Sequence, residues 1–260
     1  MSKHNSRPLI LVSNDDGYYA PGINSLIDVV KKYGDVIAVA PEKPESGMSH
    51  AITIKHPLRI KKVYSENGMT MYKCNGTPVD CVKIAMHQIL PHKPDILVSG
   101  INHGSNSAIS VIYSGTMGAA IEGCLSGIPS IGFSLLDHSL DANFEPSQHY
   151  VDIIFQKILK SGLPANTCLN VNFPNVPLNE IKGVKVCRQT QGAWKEDFEK
   201  RVDPYGEEYF WLTGDFHNYE TDQNNTDEWV LKHNYVSIVP ISTDYTAYHA
   251  IEHLKGLNDG

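Results

Sequence analysis

The stretch Leu9-Ile-Leu-Val12 followed by Ser13-Asn14-Asp15-Asp16-Gly17 constrains this chain more than any other. The apolar run supplies one buried strand, and it stops abruptly at two adjacent carboxylates. Gly17 permits the sharp turn that carries the chain out of a sheet. In open parallel sheets, ligands gather just beyond the carboxyl ends of the strands. Two like charges held side by side there repel unless positive charge sits between them. A hard divalent cation with oxygen ligands is the usual remedy. The competing reading is a solvated turn in which Asp serves as a turn former.

The rest of the first half alternates strand and helix. After Pro21-Gly22, the residues Ile23, Leu26, Ile27 and Val30 fall at helical spacing, and Gly34 ends the segment. Asp35–Ala40 is almost wholly apolar, as a strand covered on both faces should be. Ala51–Ile54, Leu58–Tyr64 and Met71–Cys74 read as short strands of a meander, with Asn67-Gly68 as a hairpin turn. Thr77-Pro78-Val79-Asp80 opens a helix with a capping hydroxyl, an early proline and an early acid. Asp95–Ser99 is the next buried strand, Thr116–Ser126 a helix and Ile128–Leu135 a strand. The second half is less regular, with a helix at Tyr150–Leu159 and strands at Cys168–Phe173, Val184–Arg188, Glu208–Leu212 and Tyr235–Val239. Such alternation implies an α/β fold, a parallel sheet with helices on both faces.

Composition narrows the partners. The chain has 260 residues, 41% of them hydrophobic, and a formal charge of −7. There is no bulk attraction for nucleic acid or anionic lipid, so neither a stable nucleic-acid partner nor a membrane is expected. The polar start lacks an apolar signal core, and no later run approaches membrane-spanning length. Five widely spaced cysteines (Cys74, Cys81, Cys124, Cys168, Cys187) form no Cys-x-x-Cys pair. They read as small core residues in a reducing, cytoplasmic setting rather than as disulfides or zinc ligands. Residues 190–230 hold all three tryptophans, Trp194, Trp211 and Trp229, among many charges. That section reads equally as an arm packing on a second subunit or as a surface hairpin with its own small cluster.

Three further segments are placed to meet the Asp15-Asp16 pair. Pro41–His50 leaves the second strand at the same edge, and Ser46 and Gly47 offer a hydroxyl and exposed amides. Ser99–Asn106 follows another buried strand and supplies neutral oxygens, among them that of Asn102. Tyr113-Ser114-Gly115-Thr116 leads into a helix whose free amides and positive dipole end suit a phosphate. Ser114 and Thr116 read equally as simple helix caps. His50 has two readings, proton donor or anchor of its own loop, of which the second is preferred. The whole donor set is carboxylate, amide and hydroxyl oxygen, which suits magnesium or manganese rather than zinc or copper. Such a cation beside an anion-binding helix start suits phosphate-ester chemistry.

Asn14-Asp15-Asp16-Gly17, the loop to Ser46 ending in His50-Ala-Ile-Thr-Ile54, Asn75-Gly-Thr-Pro-Val-Asp-Cys81, Ser99-Gly-Ile-Asn102-His-Gly-Ser-Asn106 and Tyr113-Ser-Gly-Thr116 occur in this order. With the later Arg201-Val-Asp-Pro-Tyr-Gly206 and Tyr235-Val-Ser-Ile238, the chain resembles, over nearly its whole length, the stationary-phase survival protein SurE family of metal-dependent nucleoside-monophosphate phosphatases. The resemblance implies a three-layer Rossmann-like core with a mixed, mainly parallel sheet. It implies one domain over 1–260, with 190–230 as an oligomerisation arm exchanged in a dimer or tetramer. It places one divalent cation, magnesium or manganese, on Asp15, Asp16, Ser46 and Asn102, with Asp15 and Asp16 catalytic. Phosphate contacts fall on Ser46, Gly47, Asn106, Ser114, Gly115 and Thr116. The implied substrates are nucleoside 5′-monophosphates, with 3′-nucleotides and polyphosphate as possible extensions. Two rivals stand against it. A haloacid-dehalogenase-like phosphatase needs two aspartates separated by one residue, and here they are adjacent. A non-catalytic nucleotide sensor on the same sheet is the alternative of another class, although Leu11–Gly22 lacks the Gly-x-Gly-x-x-Gly turn of a dinucleotide site.

Overall fold

Strand β1, Leu9–Ser13, is buried along its whole length, and it lies fourth in a nine-stranded sheet ordered β3-β4-β2-β1-β5-β6-β7-β11-β8. The computed structural model describes residues 7–139 and 141–259, so the polar start, residues 1–6, lies outside the described residues. The strands are β2 Asp35–Pro41, β3 Ile60–Glu66, β4 Met69–Cys74, β5 Ile96–His103, β6 Ser130–Leu135, β7 Thr167–Phe173, β8 Val184–Val186 and β11 Val236–Ser242. The pairings β4–β2–β1–β5–β6–β7 are all parallel, whereas β3 on β4 and β11 on β7 are antiparallel. The sheet is therefore mixed and mainly parallel, as expected.

Side-chain alternation along β1 builds three layers. Ile10 and Val12 face α1 (Pro21–Val30) and α5 (Glu145–Ser161), in a core with Ile23, Leu26, Val151 and Phe155. Leu11 faces the other way, toward α2 (Pro78–Ile84) and α4 (Gly115–Leu125), where Cys81, Val82 and Ala119 pack. Between these last two lie β5 and the short α3, Ser110–Tyr113. Near the C-terminus α6 spans Asp227–Lys232 and α7 Tyr248–Leu254. The chain steps from β1 to β2 on one side and returns to β1 through β5 on the other. Strand order thus reverses at β1, which opens a crevice at its carboxyl end. Asp15 and Asp16 stand at that crevice.

Several expectations are corrected. Ala51–Ile54 forms no strand. Its backbone is captured by the start of α2: the Thr53 N–H donates to Asp80 Oδ1 at 3.0 Å, and Thr77 Oγ1 donates to the Ala51 carbonyl at 2.7 Å. The meander shrinks to one hairpin, β3–β4, whose Asn67 and Gly68 have φ of 49° and 78°, as a primed turn requires. β5 continues past Ser99 to His103 with a register shift against β6, so the expected loop begins as strand. α5 starts five residues before Tyr150, at Glu145. β11 runs through Pro240; β8 pairs only with Val236–Ile238, which leaves one side of β11 free where proline lacks its N–H.

Residues 190–230 divide. β9 (Gly192–Val202) and β10 (Glu208–Asn218) form a separate antiparallel ribbon of 11 residues each, whereas Trp229 lies in α6, stacked on His233 at 3.8 Å. The ribbon has the form of the surface hairpin weighed for this section, although β9 itself carries no strand signal because charges interleave its apolar positions. The ribbon carries Phe198, Val202, Tyr205, Phe210 and Trp211 exposed. A two-stranded ribbon is marginal by itself in water. Among the described residues no helix is long and apolar enough to cross a membrane.

Candidate active site

Asp15 is 3% exposed and Asp16 half-buried, so their side chains leave bulk water to different degrees. Burial, then the Asp16 charge, pushes the Asp15 carboxyl up to about 6. The Thr116 hydroxyl and the main-chain amides of Asp15 and Thr116 pull the other way. Burial also raises Asp16, opposed by the His103 N–H, which donates to its Oδ2 at 3.2 Å, and by the nearby His103 and His138 rings.

Asp15 is seated against the first turn of α4. Thr116 Oγ1 donates to Asp15 Oδ1, and a Cβ at Gly115 would lie 2.8 Å from the Asp15 Cβ. Glycine is therefore required at 115 for the helix to approach the carboxylate. Ser114 caps α4, its Oγ accepting the Met117 N–H at 3.0 Å. The cap reading thus holds for Ser114, whereas the Thr116 hydroxyl caps nothing and holds Asp15. The first-turn amides lie beside this carboxylate, and that of Thr116 is drawn to it.

The remaining expected residues are placed less uniformly. The Glu45 N–H donates to the Asp15 carbonyl at 2.7 Å, and the Ser49 N–H to the Tyr113 carbonyl at 3.0 Å. The Pro41–His50 loop is thereby pinned to both β1 and α3. Ser46 and Gly47 lie in an exposed turn between these pins, without a hydrogen bond to either aspartate among the described residues. Asn102 is buried, and its amide donates to the Gly104 carbonyl at 2.8 Å, which leaves its oxygen to accept or ligate. Asn106 sits in a polar ladder: its amide donates to Ser134 Oγ at 2.8 Å, its N–H to Asn172 Oδ1 at 2.8 Å, and its carbonyl accepts from Asn170 Nδ2 at 2.7 Å. One of its two side-chain N–H groups is thus given to the scaffold, which leaves the other to donate.

His50 anchors its loop, as preferred. Its Nε2 lies 3.0 Å from Glu122 Oε2, and Lys83 Nζ donates to the same carboxylate at 2.6 Å. The His50 contact, then that of Lys83, holds Glu122 below the usual carboxylate range.

Three groups escaped the sequence reading. Asn170 and Asn172 alternate in β7, a two-residue period of polar side chains in a buried strand that was available as a signal. Asp227 is fully buried and accepts from the Ala108 N–H at 2.8 Å, the Thr190 N–H at 2.9 Å and Thr190 Oγ1 at 2.6 Å. It holds Ala108 at φ 49° and so shapes the Asn106 loop from the root of the ribbon. His138 reaches Gly104 and Asp16 from the far end of β6; nothing in its local sequence marks it.

The donor set fits a hard cation. Asp15 and Asp16 repel each other, Asn102 offers a neutral oxygen, and the buried Asn14 Oδ1 has no hydrogen-bond partner. Among the described residues no cluster of three or more His, Cys, Asp or Glu side chains is arranged for a metal, which leaves these two carboxylates supplemented by neutral oxygens. All five cysteines are free thiols, and the four most buried lie in the core.

Fold and site together define a three-layer α/β protein with an acidic strand-end site facing a helix start. The family described as Survival protein SurE matches residues 10–196. The 5′-nucleotidase SurE of Christiangramia forsetii is 55% identical over 260 residues, 97% of this chain and 98% of the relative. That of Flavobacterium psychrophilum is 53% identical over 251 residues, 96% of this chain and 97% of the relative. The crystal structure of SurE protein from Aquifex aeolicus superposes with a TM-score of 0.84 at 40% identity, covering 97% of this chain and 100% of that one. The chain belongs to the SurE family.

The Asp15 shift predicts a pH-dependent stability. An acid whose folded pKa is about 6, above 3.8 unfolded, binds more protons in the folded state between those values. Stability therefore falls as pH rises through that window, by about 3 kcal/mol when complete. In chelator, the Asp15→Asn variant should resist urea better than the parent at pH 7.5, and the advantage should vanish near pH 4. A variant weakened equally at both values contradicts the reading.

Proposed function

We propose that this protein is a divalent-metal-dependent 5′-nucleotidase that releases phosphate from nucleoside 5′-monophosphates. The observation that carries the reading is the buried Asp15 beside Asp16, seated on the first turn of α4. Relatives at 53–55% identity named 5′-nucleotidase SurE support it over nearly the full chain.

Asp15, Asp16, Ser46 and Asn102 would hold the cation, magnesium or manganese. When bound, it neutralises the paired carboxylates, polarises a phosphoryl oxygen and lowers the pKa of water. Thr116 holds Asp15 in place, so the carboxylate is oriented before substrate arrives. The Gly115 amide and the Ser46-Gly47 turn receive the phosphate oxygens at the helix start, beside the Thr116 amide that serves Asp15. Asp16, the more exposed carboxylate, orients the attacking water and accepts its proton, and the His103 N–H fixes its other oxygen. As the bond from phosphorus to the nucleoside 5′-oxygen breaks, that oxygen takes a proton from solvent and the nucleoside leaves. Asn106 shapes this pocket through its carbonyl and backbone, braced by Asn170 and Asn172. A terminal phosphate is the feature recognised, so 3′-nucleotides and polyphosphate ends are secondary substrates. Free cysteines accord with work in a reducing cytoplasm.

The β9–β10 ribbon is the oligomerisation arm. Its exposed Phe198, Tyr205, Phe210 and Trp211 want cover, and the same element of a second subunit supplies it in a dimer or tetramer.

Chelation should abolish phosphate release from AMP, and magnesium or manganese should restore it. Asp16→Asn should lower kcat by about a hundredfold or more, the effect of losing one well-placed electrostatic element. In a panel of AMP, GMP, CMP, UMP, a sugar phosphate and a dinucleotide, the mononucleotides should lead. A sugar phosphate ahead of every nucleotide contradicts the nucleotidase assignment. Nucleotide binding without phosphate release would establish the sensor instead.

Replacing residues 199–211 by an Asn-Gly turn, which joins the paired Phe198 and Leu212, removes the ribbon's far part and spares Thr190 and Asp227. Analytical ultracentrifugation at micromolar concentration should then show monomer where the parent is oligomeric. A parent that already sediments as a monomer refutes the arm.

A further inference from the structure

A cavity of about 320 Å³ lies between α3 and the root of the ribbon, lined by Tyr113, Trp194, Glu196, Leu212, Thr213 and Gly214. Its position matters, because Tyr113 immediately precedes Ser114, the cap of α4, so the two Cα atoms are ~3.8 Å apart. Tyr113 thus joins the cleft directly to the helix start proposed to hold the phosphate.

Both aromatic walls are held in place yet open to solvent. The Tyr113 backbone is fixed by the Ser49 N–H at 3.0 Å, and its neighbour Ile112 by Ser49 Oγ at 2.6 Å. Trp194 is braced edge-on by Phe216, centroids 6.1 Å apart. The ribbon's root is tied to the body: the Tyr219 N–H donates to the Gln191 carbonyl at 3.0 Å, and Arg188 forms a bidentate pair with Glu220 at 2.8 Å. Even so, Tyr113 is 52% and Trp194 44% exposed. Two braced, half-exposed rings beside one cavity suit a flat apolar guest. Gly214 adds no side chain to the cleft, and its φ of 149° disfavours any other residue. Glu196, paired across the ribbon with Gly214 and on the same face as Trp194, supplies an acceptor for a polar ring edge.

We infer that this cleft is the base-binding subsite, in which the nucleobase stacks against Tyr113 and Trp194 with its N–H edge toward Glu196. The inference rests on the nucleotidase reading for its phosphate anchor. The volume is at the small end of ligand pockets, and it suits one nucleoside rather than a dinucleotide. Stacking tolerates every base because each has a π face, and the larger purine face gains more than a pyrimidine. The subsite therefore accepts all four bases and ranks purines first. The ribbon then has two parts: a root that completes the substrate site and a far part that meets the second subunit.

The test compares AMP with ribose 5-phosphate, which carries the same phosphate without a base. Trp194→Ala and Tyr113→Ala should each lower the ratio of kcat/KM for AMP to that for ribose 5-phosphate about tenfold, through KM. Trp194→Phe and Tyr113→Phe should keep most of the ratio, because a ring remains. Equal losses on both substrates, or an unchanged AMP KM, overturn the cleft. If the parent enzyme does not favour AMP over ribose 5-phosphate, the nucleotidase reading itself fails. The cleft is then judged by calorimetry with adenosine alone: binding to the parent and none to Trp194→Ala sustains it, and no binding to the parent overturns it.

Discussion

The contact between the Asp15 carboxylate and the first turn of α4 organises everything around it. It joins the end of β1 to the start of α4, which follows β5 and the short α3. It requires glycine at 115, a hydroxyl at 116 and a helix cap at 114, and it places a buried acid beside a second acid. Such an arrangement is costly for an empty protein, because burial and the Asp16 charge both oppose ionisation of Asp15. It becomes favourable when a cation lies on the carboxylates. The site is thus a place where local structure works against apo stability in favour of binding, a common feature of functional sites.

Around this contact, the loops are fastened by groups that never reach the site. Asp80 caps α2 and also receives the Thr53 N–H, so the stretch after Ser46 is held as a loop. Glu122 takes His50 and Lys83 together on a helix that is otherwise apolar. Asp227 gathers Ala108 and Thr190, tying the Asn106 loop to the ribbon's root. Each is a buried or half-buried carboxylate with its hydrogen bonds made, which is the condition under which burial of charge is tolerated. Together they make the crevice largely preformed, so that binding orders few further groups.

What was legible in the sequence was local. The end of β1, the Thr77–Asp80 cap and the Asn67-Gly68 turn are short-range devices whose residues carry their own reason. The strip Ile10, Leu11, Val12 declared both faces of the sheet covered. What was not legible depended on partners distant in the chain. Ala51–Ile54 has strand-like residues, yet Ile54 is 80% exposed, because Asp80 and Thr77 claim the backbone that a neighbouring strand would have bonded. Thr116 could be read as a cap or a phosphate ligand; its actual partner, Asp15, is 101 residues away. Asp227 carries no signal in its own neighbourhood, and only the fold brings Ala108 and Thr190 to it. The β9 strand was hidden by charges at exposed positions, where no core selects an alternating pattern.

The central claim is that Asp15 and Asp16 form one cation site. It is tested most directly by calorimetric titration of manganese into chelator-treated protein. The account predicts one ion per chain at pH 7.5, with affinity falling as pH drops through about 6, where Asp15 takes up its proton. Asp15→Asn should bind about a hundredfold more weakly. Absence of binding to the parent, or equal affinity in the variant, would contradict it.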